Sequence, residues 1–261
     1  MCGRVVTASS PGELSEYMGV DEIVAVLDAP DHNVAPTGQL PIVWTVENLS
    51  TSDRAESGSA ATRKMGTARW GLVPAWEQDP AVGARRFNAR AESVAEKPSF
   101  RAALRRRRCL VPVDGFFEWG PPLNTFAGAN RKQPWYVKRA DGRPMALAGL
   151  WERWGVDSDD DSRALDTCTV ITTTANLDIE PVHHRMPVLL EEQDWEQWLN
   201  PGMEDPAQVT HLLGPAAVGV VTLHPVDRRV GSTKNKGPGL LEAVAPAERS
   251  DDGATSQGEL W

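Results

Sequence analysis

The sequence predicts an α+β fold: a single β-dominated domain whose mixed or antiparallel sheet is barrel-like and carries helices at its periphery. Three observations support this class. Short runs rich in β-branched and aromatic residues recur along the chain, turn-forming residues separate them, and few segments have helical periodicity. We place this domain at residues 1–244. Residues 245–261 are rich in Pro, Ala, Ser, Gly and acidic residues, which predicts a disordered acidic tail.

Helices are indicated mainly by their start signals. The segments with such signals or with helical spacing are residues 11–18, a segment opened by Pro98, residues 191–199 and residues 207–213. Ser10 is followed by Pro11 and Glu13, which is the pattern of a capping box with proline in the first turn. Pro98 precedes apolar residues that share one helical face, among them Phe100. These helices therefore fit the periphery of a sheet.

Strands are indicated by short apolar, β-prone runs. We assign strands to residues 40–46, 68–73, 110–113, 116–119, 135–139, 144–151, 167–174, 186–190 and 218–226. Asp141-Gly142 lies between two of these runs and predicts a hairpin that joins them. The acidic run at residues 157–161 is predicted to be another hairpin tip, and residues 48–64 and 121–132 are predicted to be surface loops.

Charge is distributed unevenly along the chain. The formal net charge of −9 by itself opposes nucleic-acid binding. However, residues 242–261 carry five acidic residues and one Arg, and residues 157–161 carry four Asp, whereas residues 85–108 hold nine basic and two acidic residues. One strongly basic segment therefore stands apart from acidic surface segments. It is typical either of a nucleic-acid contact or of a solvated helix face.

The three cysteines, Cys2, Cys109 and Cys168, contain no CxxC pair. Such a sparse, odd set is typical of a reducing compartment and argues against both a disulfide framework and a Cys-rich zinc site. No apolar run reaches the roughly 20 residues of a membrane helix, and no apolar signal segment follows Met1. We therefore expect a cytoplasmic monomer that binds no membrane and needs no metal or cofactor.

The N-terminal segment Met1-Cys2-Gly3-Arg4 carries the most specific chemistry. Because Cys is small, removal of Met1 is expected, and it leaves an α-amine and a thiol on one residue. An α-amine with an ordinary pKa of about 8 is partly neutral at neutral pH and attacks aldehydes to give a Schiff base. The thiol then closes onto the same carbon as a five-membered thiazolidine, since proximity favours ring closure. Gly3 allows a substrate to approach the backbone closely.

Four further motifs accompany this segment. They are Trp70-Gly71-Leu72-Val73-Pro74, Asn88-Ala89-Arg90-Ala91-Glu92, Gly115-Phe116-Phe117-Glu118-Trp119 and His183-His184-Arg185-Met186-Pro187. Together with the N-terminal segment and Asn235-Lys236-Gly237-Pro238, they resemble the SRAP family (SOS response-associated peptidases, or abasic-site processing proteins). The resemblance covers residues 2–244. It implies a β-rich fold with a positively charged channel for single-stranded DNA, and a thiazolidine link between the N-terminal Cys and the ring-opened sugar of an abasic site.

The resemblance implies catalytic roles for four residues. Cys2 corresponds to the nucleophile, and Asn88 to the family Asn that orients it. Glu118 corresponds to the catalytic Glu, which deprotonates the amine; amid aromatic neighbours a carboxylate is expected to hold a proton more readily than in water. His183 corresponds to the catalytic His, which protonates the sugar-ring oxygen. His184 is the adjacent alternative, and it faces the other way if the segment is a strand.

The resemblance also implies contacts with DNA. The candidates are Arg4, Arg85, Arg86 and Arg90 for phosphates, and Pro36, Trp70 and Trp119 for wedging or stacking against bases. Arg90 is the strongest of them because it lies in the Asn88 motif, whereas for Trp70 packing in the core is an equal alternative. The expected partner is single-stranded DNA containing abasic sites, and the expected location is the nucleoid within the cytoplasm.

Three other functions fit parts of the pattern. An N-terminal-nucleophile glutamine amidotransferase also begins Met-Cys-Gly, but its downstream glutamine-site signatures are not found here. A non-covalent reader of damaged or modified DNA would bind without using Cys2. A thiol peptidase would use Cys2, His183 and Glu118; the resemblance attributes the peptidase name mainly to autocatalytic removal of Met1. It also implies slow reversal of the DNA link by the same lyase-like Schiff-base chemistry.

Overall fold

The computed structural model describes residues 2–27, 29–47, 61–122, 132–155 and 164–244. Within these ranges the strands are β1 (Val5–Thr7), β2 (Glu22–Ile23), β3 (Asp31–Val34), β4 (Gln39–Glu47), β5 (Ala61–Trp70), β6 (Asn88–Arg90), β7 (Arg108–Val113), β8 (Gly115–Gly120), β9 (Gln133–Arg139), β10 (Met145–Trp154), β11 (Leu165–Thr174), β12 (Arg185–Pro187) and β13 (Val221–Pro225). The α-helices are α1 (Pro11–Met18), α2 (Pro98–Arg106) and α3 (Glu192–Leu199). No helix within these ranges combines the length and the apolarity that crossing a membrane requires.

The strands form two sheets. The five-stranded sheet has the order β13-β9-β8-β1-β3, and all its neighbouring strands are antiparallel. The second sheet has the order β12-β11-β10-β7-β4-β5-β2, and β6 pairs with β11 in parallel. Because β5 also pairs with β11, at Arg69 with Thr167 and at Trp70 with Cys168, the second sheet closes on itself. This topology confirms the predicted α+β class with a mixed, barrel-like sheet.

Alternation along the strands separates two large hydrophobic clusters. On β7, Leu110 belongs to the outer cluster, to which α1, α2 and α3 contribute, whereas the next residue, Val111, belongs to the inner cluster between the sheets. Trp195 and Trp198 of α3 are buried in the outer cluster. Cys2 is part of the inner cluster. The start of the chain therefore enters the core between the two sheets.

The helix start signals predict the helices well. The Ser10 hydroxyl accepts a hydrogen bond from the Glu13 N–H, and the Glu13 carboxylate accepts one from the Ser10 N–H at 2.8 Å. Helix α2 begins at Pro98 and buries its predicted apolar face. Residues 207–213 differ from the prediction, because they form parts of two 3-10 helices, Pro206–Gln208 and Thr210–Leu212. Val209, at φ −127°, interrupts the helical backbone between them.

The predicted hairpin at Asp141-Gly142 is wrong. The turn itself is present: the Gly142 N–H donates to the Arg139 carbonyl oxygen at 3.3 Å, and Gly142 has φ +79°. However, β9 pairs with β8 and β13, while β10 pairs with β7 and β11. Turn residues determine only the local reversal of the chain, and each flanking strand finds its partners in a different sheet. The turn therefore carries the chain from one sheet to the other.

Several strand boundaries also differ from the predictions: the strand assigned to residues 186–190 ends at Pro187, and the one assigned to residues 218–226 begins at Val221. The loop assigned to residues 48–64 ends earlier, because β5 begins at Ala61 and pairs with β4. The strand assigned to residues 68–73 ends at Trp70, because Gly71 has φ +138° and a Cβ there would lie 2.5 Å from the Gly83 carbonyl oxygen. The rest of the predicted loops, at residues 48–60, 123–131 and 156–163, and the tail at residues 245–261 lie outside the described residues.

Candidate active site

Strands from both sheets bring the four predicted catalytic residues together. Cys2 precedes β1, and Glu118 lies on β8, which pairs with β1. Asn88 begins β6, and His183 lies two residues before β12; both of these strands flank β11. The four residues are distant in the sequence. The pairing of the strands is therefore what places them at the junction of the two sheets.

Cys2 is fully buried and is held through its backbone. Asn88 Nδ2 donates a hydrogen bond to the Cys2 carbonyl oxygen at 2.6 Å. The other amide atom, Asn88 Oδ1, is buried and has no hydrogen-bond partner among the described residues. Burial raises the pKa of the Cys2 thiol well above its ordinary value, and the negative charge of Glu118 raises it further. The thiol is therefore protonated at neutral pH, which disfavours direct attack as a thiolate.

Glu118 faces the core because of strand alternation on β8. Phe116, two residues earlier, packs in the inner cluster with Cys2, whereas Phe117 and Trp119 pack on the opposite face of the sheet. Glu118 is only 4% exposed, and its Oε1 accepts a hydrogen bond from the Trp119 N–H at 3.1 Å. Its charge acts on both Cys2 and His183. The carboxylate is thus placed to exchange protons at the Cys2 site.

His183 is oriented by the backbone of Arg185. The Arg185 N–H lies 3.0 Å from His183 Nδ1 and the Arg185 carbonyl oxygen 3.2 Å from it. The Arg185 N–H can only donate, so it pairs with Nδ1 in the neutral tautomer that carries its proton on Nε2. Burial lowers the pKa of His183 below its ordinary value, although the Glu118 charge opposes this shift. The neutral imidazole can therefore donate a proton from Nε2.

His184 does not face away from His183 as a strand would require. The two rings stack with their centroids 4.4 Å apart, because β12 begins only at Arg185 and both residues precede it. Within the described part of the chain, no group of three or more His, Cys, Asp or Glu side chains could hold a metal ion. The side chains gathered at this site can supply a nucleophile from Cys2 and proton transfer by a carboxylate and an imidazole.

Trp70 does not reach the surface, so its predicted contact with DNA bases is wrong and the core alternative is correct. The indole has no exposed surface, its Nε1 donates to the Phe87 carbonyl oxygen at 2.8 Å, and the Phe87 ring packs edge-on against it. The physical reason lies in the topology. Strand β5 pairs here with both β4 and β11, so Trp70 is enclosed where the barrel closes.

Arg4 is used inside the protein. Its guanidinium donates to Asn33 Oδ1 at 2.6 Å and to the Val230 carbonyl oxygen at 2.7 Å, and it lies 5.7 Å from the ring centre of the half-buried Trp119. The buried Asn33 amide in turn donates to the carbonyl oxygens of Val230, Ser232 and Asn235. Arg4 and Asn33 therefore fasten the C-terminal segment to the five-stranded sheet, and this role competes with the predicted phosphate contact of Arg4.

The other predicted contacts with DNA have different surroundings. Arg85 and Arg90 are exposed, and Arg90 is two residues beyond Asn88 on β6. Arg86 is half-buried and forms an ion pair with Glu77 at 2.9 Å. Pro36 is half-buried in the turn between β3 and β4. Arg85 and Arg90 are therefore the predicted arginines most available to a phosphate.

Three residues of interest were not singled out from the sequence. Trp76 is 62% exposed, which is unusual for an indole. A tryptophan in the irregular, proline-flanked segment after Trp70 has no strand or helix to bury it, and this signal could have found it. Glu92 and Arg185, both inside quoted motifs, form a bidentate ion pair. The sequence showed them only as charged residues without partners.

Known proteins are similar to this chain in sequence. The family model described as "SOS response associated peptidase (SRAP)" matches residues 1–233. The abasic site processing protein YoqW of Bacillus subtilis is 34% identical over 244 residues, which cover 93% of this chain and 100% of that protein. The abasic site processing protein HMCES of Gallus gallus is 28% identical over 236 residues, which cover 84% of this chain and 67% of that protein.

Solved structures resemble this chain in fold. A crystal structure of a protein from Bacteroides thetaiotaomicron superposes with a TM-score of 0.74 at 24% identity, over 94% of this chain and 100% of that one. A second, from Bordetella bronchiseptica, has a TM-score of 0.65 at 21% identity. At these identities the likeness establishes a shared fold.

Proposed function

This chain belongs to the SRAP family, and from that premise we propose that it captures abasic sites in single-stranded DNA through a covalent link to Cys2. One observation carries the proposal: Asn88 holds the Cys2 backbone at a place where the Glu118 charge acts on both Cys2 and His183. The names of YoqW and HMCES, both abasic site processing proteins, support the substrate class.

The reaction begins after Met1 has been removed. The α-amine of Cys2 attacks the aldehyde carbon of the ring-opened deoxyribose, and loss of one water gives an imine. The thiol then adds across the carbon–nitrogen double bond: sulfur bonds to the former aldehyde carbon, and the thiol proton ends on nitrogen. The thiazolidine product thus equals protein plus DNA minus one water. No oxidant, reductant or cofactor is consumed.

Each neighbouring side chain has a proton-transfer or orienting role in this scheme. Glu118 accepts a proton from the α-ammonium group and returns it to the hydroxyl that leaves as water. His183, with its proton on Nε2, donates to the ring oxygen of the closed sugar and so favours the free aldehyde. Asn88 fixes the Cys2 carbonyl and thereby the direction of the amine. The same transfers in reverse would release the DNA.

The buried thiol favours this order of steps over the rival mechanisms. Burial raises the pKa of the Cys2 thiol and so disfavours a thiolate; in this scheme the amine attacks first, and the thiol acts once an imine is present. A thiol peptidase or a glutamine amidotransferase needs its thiol to attack first, and a raised thiol pKa disfavours that attack. Burial of the thiol therefore fits aldehyde capture better than either alternative.

The DNA strand reaches this site over exposed basic and aromatic groups. We assign phosphate contacts to Arg85 and Arg90, whose guanidinium groups are exposed on the segment that leads into β6 and on β6 itself. Trp76, with its exposed indole, takes the base-stacking role first assigned to Trp70. Such contacts are sequence-tolerant, which suits a protein that meets lesions in any sequence.

A gel assay tests the proposal. Protein with Cys2 at its N-terminus is incubated with a single-stranded oligonucleotide that contains one abasic site, and the products are separated by denaturing electrophoresis. We expect a shifted band that withstands heat and is absent for Cys2→Ala, for an oligonucleotide without the lesion, and for protein that retains Met1. A shifted band of equal intensity from Cys2→Ala would contradict the assignment of the nucleophile.

The rival functions predict different results in this assay and in an assay of glutamine hydrolysis. Retained binding without a covalent band from correctly processed protein would indicate a non-covalent reader. Hydrolysis of glutamine that depends on Cys2 would indicate an amidotransferase. Cys2→Ser keeps the amine but lacks the thiol, so we expect only a transient imine from it; a heat-resistant link from Cys2→Ser would contradict the thiazolidine.

A further inference from the structure

An ion pair joins the motif of Asn88 to the motif of His183. The Arg185 guanidinium binds the Glu92 carboxylate in a bidentate manner, with Nη1 at 2.5 Å from Oε1 and Nη2 at 3.0 Å from Oε2. Arg185 Nη2 also donates to the Thr172 carbonyl oxygen at 2.6 Å. Arg185 is only 9% exposed, whereas the Glu92 side chain is 50% exposed, so the buried cation meets its carboxylate at the edge of the protein. The geometry is that of a fixed structural pair.

The pair spans strand β11. On β11, Thr172 is paired with Arg90 of β6 on one side and with Pro187 of β12 on the other. Neighbouring strands lie about 4.8 Å apart, so β6 and β12 are separated by about 10 Å. Glu92 follows β6 and Arg185 begins β12. Their side chains therefore bridge β6, which begins at Asn88, and β12, which begins two residues after His183.

The backbone of the same Arg185 faces the His183 ring. Its N–H and its carbonyl oxygen lie 3.0 and 3.2 Å from His183 Nδ1. A neutral ring accepts from the N–H, and a protonated ring donates to the carbonyl oxygen. One residue thus offers a partner to His183 in both protonation states. This is the support that a residue needs when it gains and loses a proton during a reaction.

We propose that Glu92 and Arg185 are positioning residues for His183: the ion pair fixes the first residue of β12 and, with it, the backbone groups that orient the imidazole. The inference rests on the proposed function. It gives neither side chain a contact with the aldehyde or with the reacting atoms of Cys2. The effect of the pair on the reaction passes entirely through the His183 ring.

The test separates binding from reaction in the full-length protein. Glu92→Gln keeps the size of the side chain and removes its charge. Binding is measured with a single-stranded oligonucleotide that carries a tetrahydrofuran abasic analogue, which has no aldehyde and forms no link. The rate is measured with a true abasic site at saturating protein. We expect a Kd within about twofold of wild type and a first-order rate about tenfold lower, since misplaced catalytic groups lose rate rather than affinity.

Two controls distinguish positioning from general damage. Glu152→Gln removes the carboxylate that pairs with Arg107 at a distance of 2.6 Å. This variant should leave the rate unchanged. Glu92→Asp, which keeps the charge, should recover part of the lost rate. A rate for Glu92→Gln equal to wild type, or a loss confined to Kd, would overturn the inference. So would Glu92→Asp and Glu152→Gln variants as slow as Glu92→Gln, because the loss would then reflect general destabilisation.

A spectroscopic readout keeps the inference testable without the reaction. In wild-type protein, nitrogen NMR of His183 should show one neutral tautomer with the proton on Nε2, and Glu92→Gln should show a mixture of tautomers. An unchanged tautomer in Glu92→Gln would contradict positioning. If wild-type protein forms no link at all, the proposed function fails, and this tautomer measurement still decides the role of the pair.

Discussion

The basic run at residues 85–108 divides in the structure into two regions with different uses. In the first, Arg85 and Arg90 are exposed beside and on β6, the strand whose Asn88 holds Cys2. In the second, Arg106 and Arg107 form ion pairs with Glu204 and Glu152. The second region thus pairs much of its charge with acidic residues, as Arg86 of the first region does with Glu77, whereas Arg85 and Arg90 expose their guanidinium groups beside the site.

Arg108 shows how far this difference extends. Its buried guanidinium donates to the carbonyl oxygens of Leu104, Arg105, Trp198, Asn200 and Met203. These groups lie at or near the C-terminal ends of α2 and α3, where unpaired carbonyls and the helix dipole favour a cation. Charge density along a sequence therefore does not equal charge on a surface. The secondary-structure element that carries an arginine decides whether it binds a ligand or the protein itself.

The largest expected effect tests the structural use of the second region. Arg108→Leu removes the cation and leaves buried carbonyl groups without donors, so the free energy of unfolding should fall by about 3 kcal/mol. Arg105→Leu, on the exposed face of α2, should leave the stability nearly unchanged. Urea unfolding measures both variants. Equal stability of Arg108→Leu and wild type would show that the helix ends do not depend on this residue.

The next effect tests the functional use of the first region. The double variant Arg85→Ala/Arg90→Ala should bind single-stranded DNA about tenfold more weakly. It should also make the negative slope of log affinity against log salt shallower by about 0.7 for each lost phosphate contact. Arg101→Ala/Arg105→Ala, taken from α2, is the matched control and should bind within about twofold of wild type. Fluorescence anisotropy over a salt series provides the measurement. A larger loss of affinity from the α2 double variant would show that α2, and not the first region, contacts the DNA.

Trp76 tests whether the segment that leads into the first region also contacts bases. Trp76→Ala should weaken binding of single-stranded DNA about fivefold, at the low end of the range for loss of one base–aromatic stack. Its stability should be unchanged, because the indole is exposed. Val218→Ala, which removes an exposed apolar side chain elsewhere, is the control. Lost stability with unchanged binding would place Trp76 in a packing role.

The smallest effect concerns pH. Burial lowers the pKa of His183 in the folded protein, so the unfolded chain binds more protons between that lowered value and the ordinary value of about 6.5. Stability should therefore decline as pH falls through this window, although the Glu118 charge reduces the decline and the His184 ring adds to it. His183→Gln should flatten the decline between pH 7.5 and pH 5 in urea unfolding. An identical slope of stability against pH in wild type and variant would contradict the assignment of this decline to His183.

Local signals in the sequence predicted the parts of the fold that depend on neighbouring residues. The Ser10–Glu13 capping box and the start of α2 at Pro98 are interactions within one or two turns, and both are present. The Asp141-Gly142 hairpin failed because its turn is local but its strand partners are not. Closure of the barrel through β5 and β11 is likewise a long-range pairing that no local pattern encodes.

The same distinction applies to the candidate site. Motifs identified Cys2, Asn88, Glu118 and His183, and the structure brings these four together. Motifs did not distinguish a buried aromatic from an exposed one, so Trp70 was chosen where Trp76 is accessible. Nor did they show that Glu92 and Arg185, distant in sequence, neutralise each other. Burial and partners depend on the assembled sheets, and a single sequence carries little information about either.

The most direct test of the central claim counts the thiols of the covalent product. An imine and a thiazolidine have the same mass, protein without Met1 plus oligonucleotide minus one water, but only the ring consumes the Cys2 thiol. The chain has three free cysteines, so denatured product treated with iodoacetamide should gain two carbamidomethyl groups, on Cys109 and Cys168. Intact mass spectrometry reads this number. A product that gains three groups, or no product from correctly processed protein, would contradict the account.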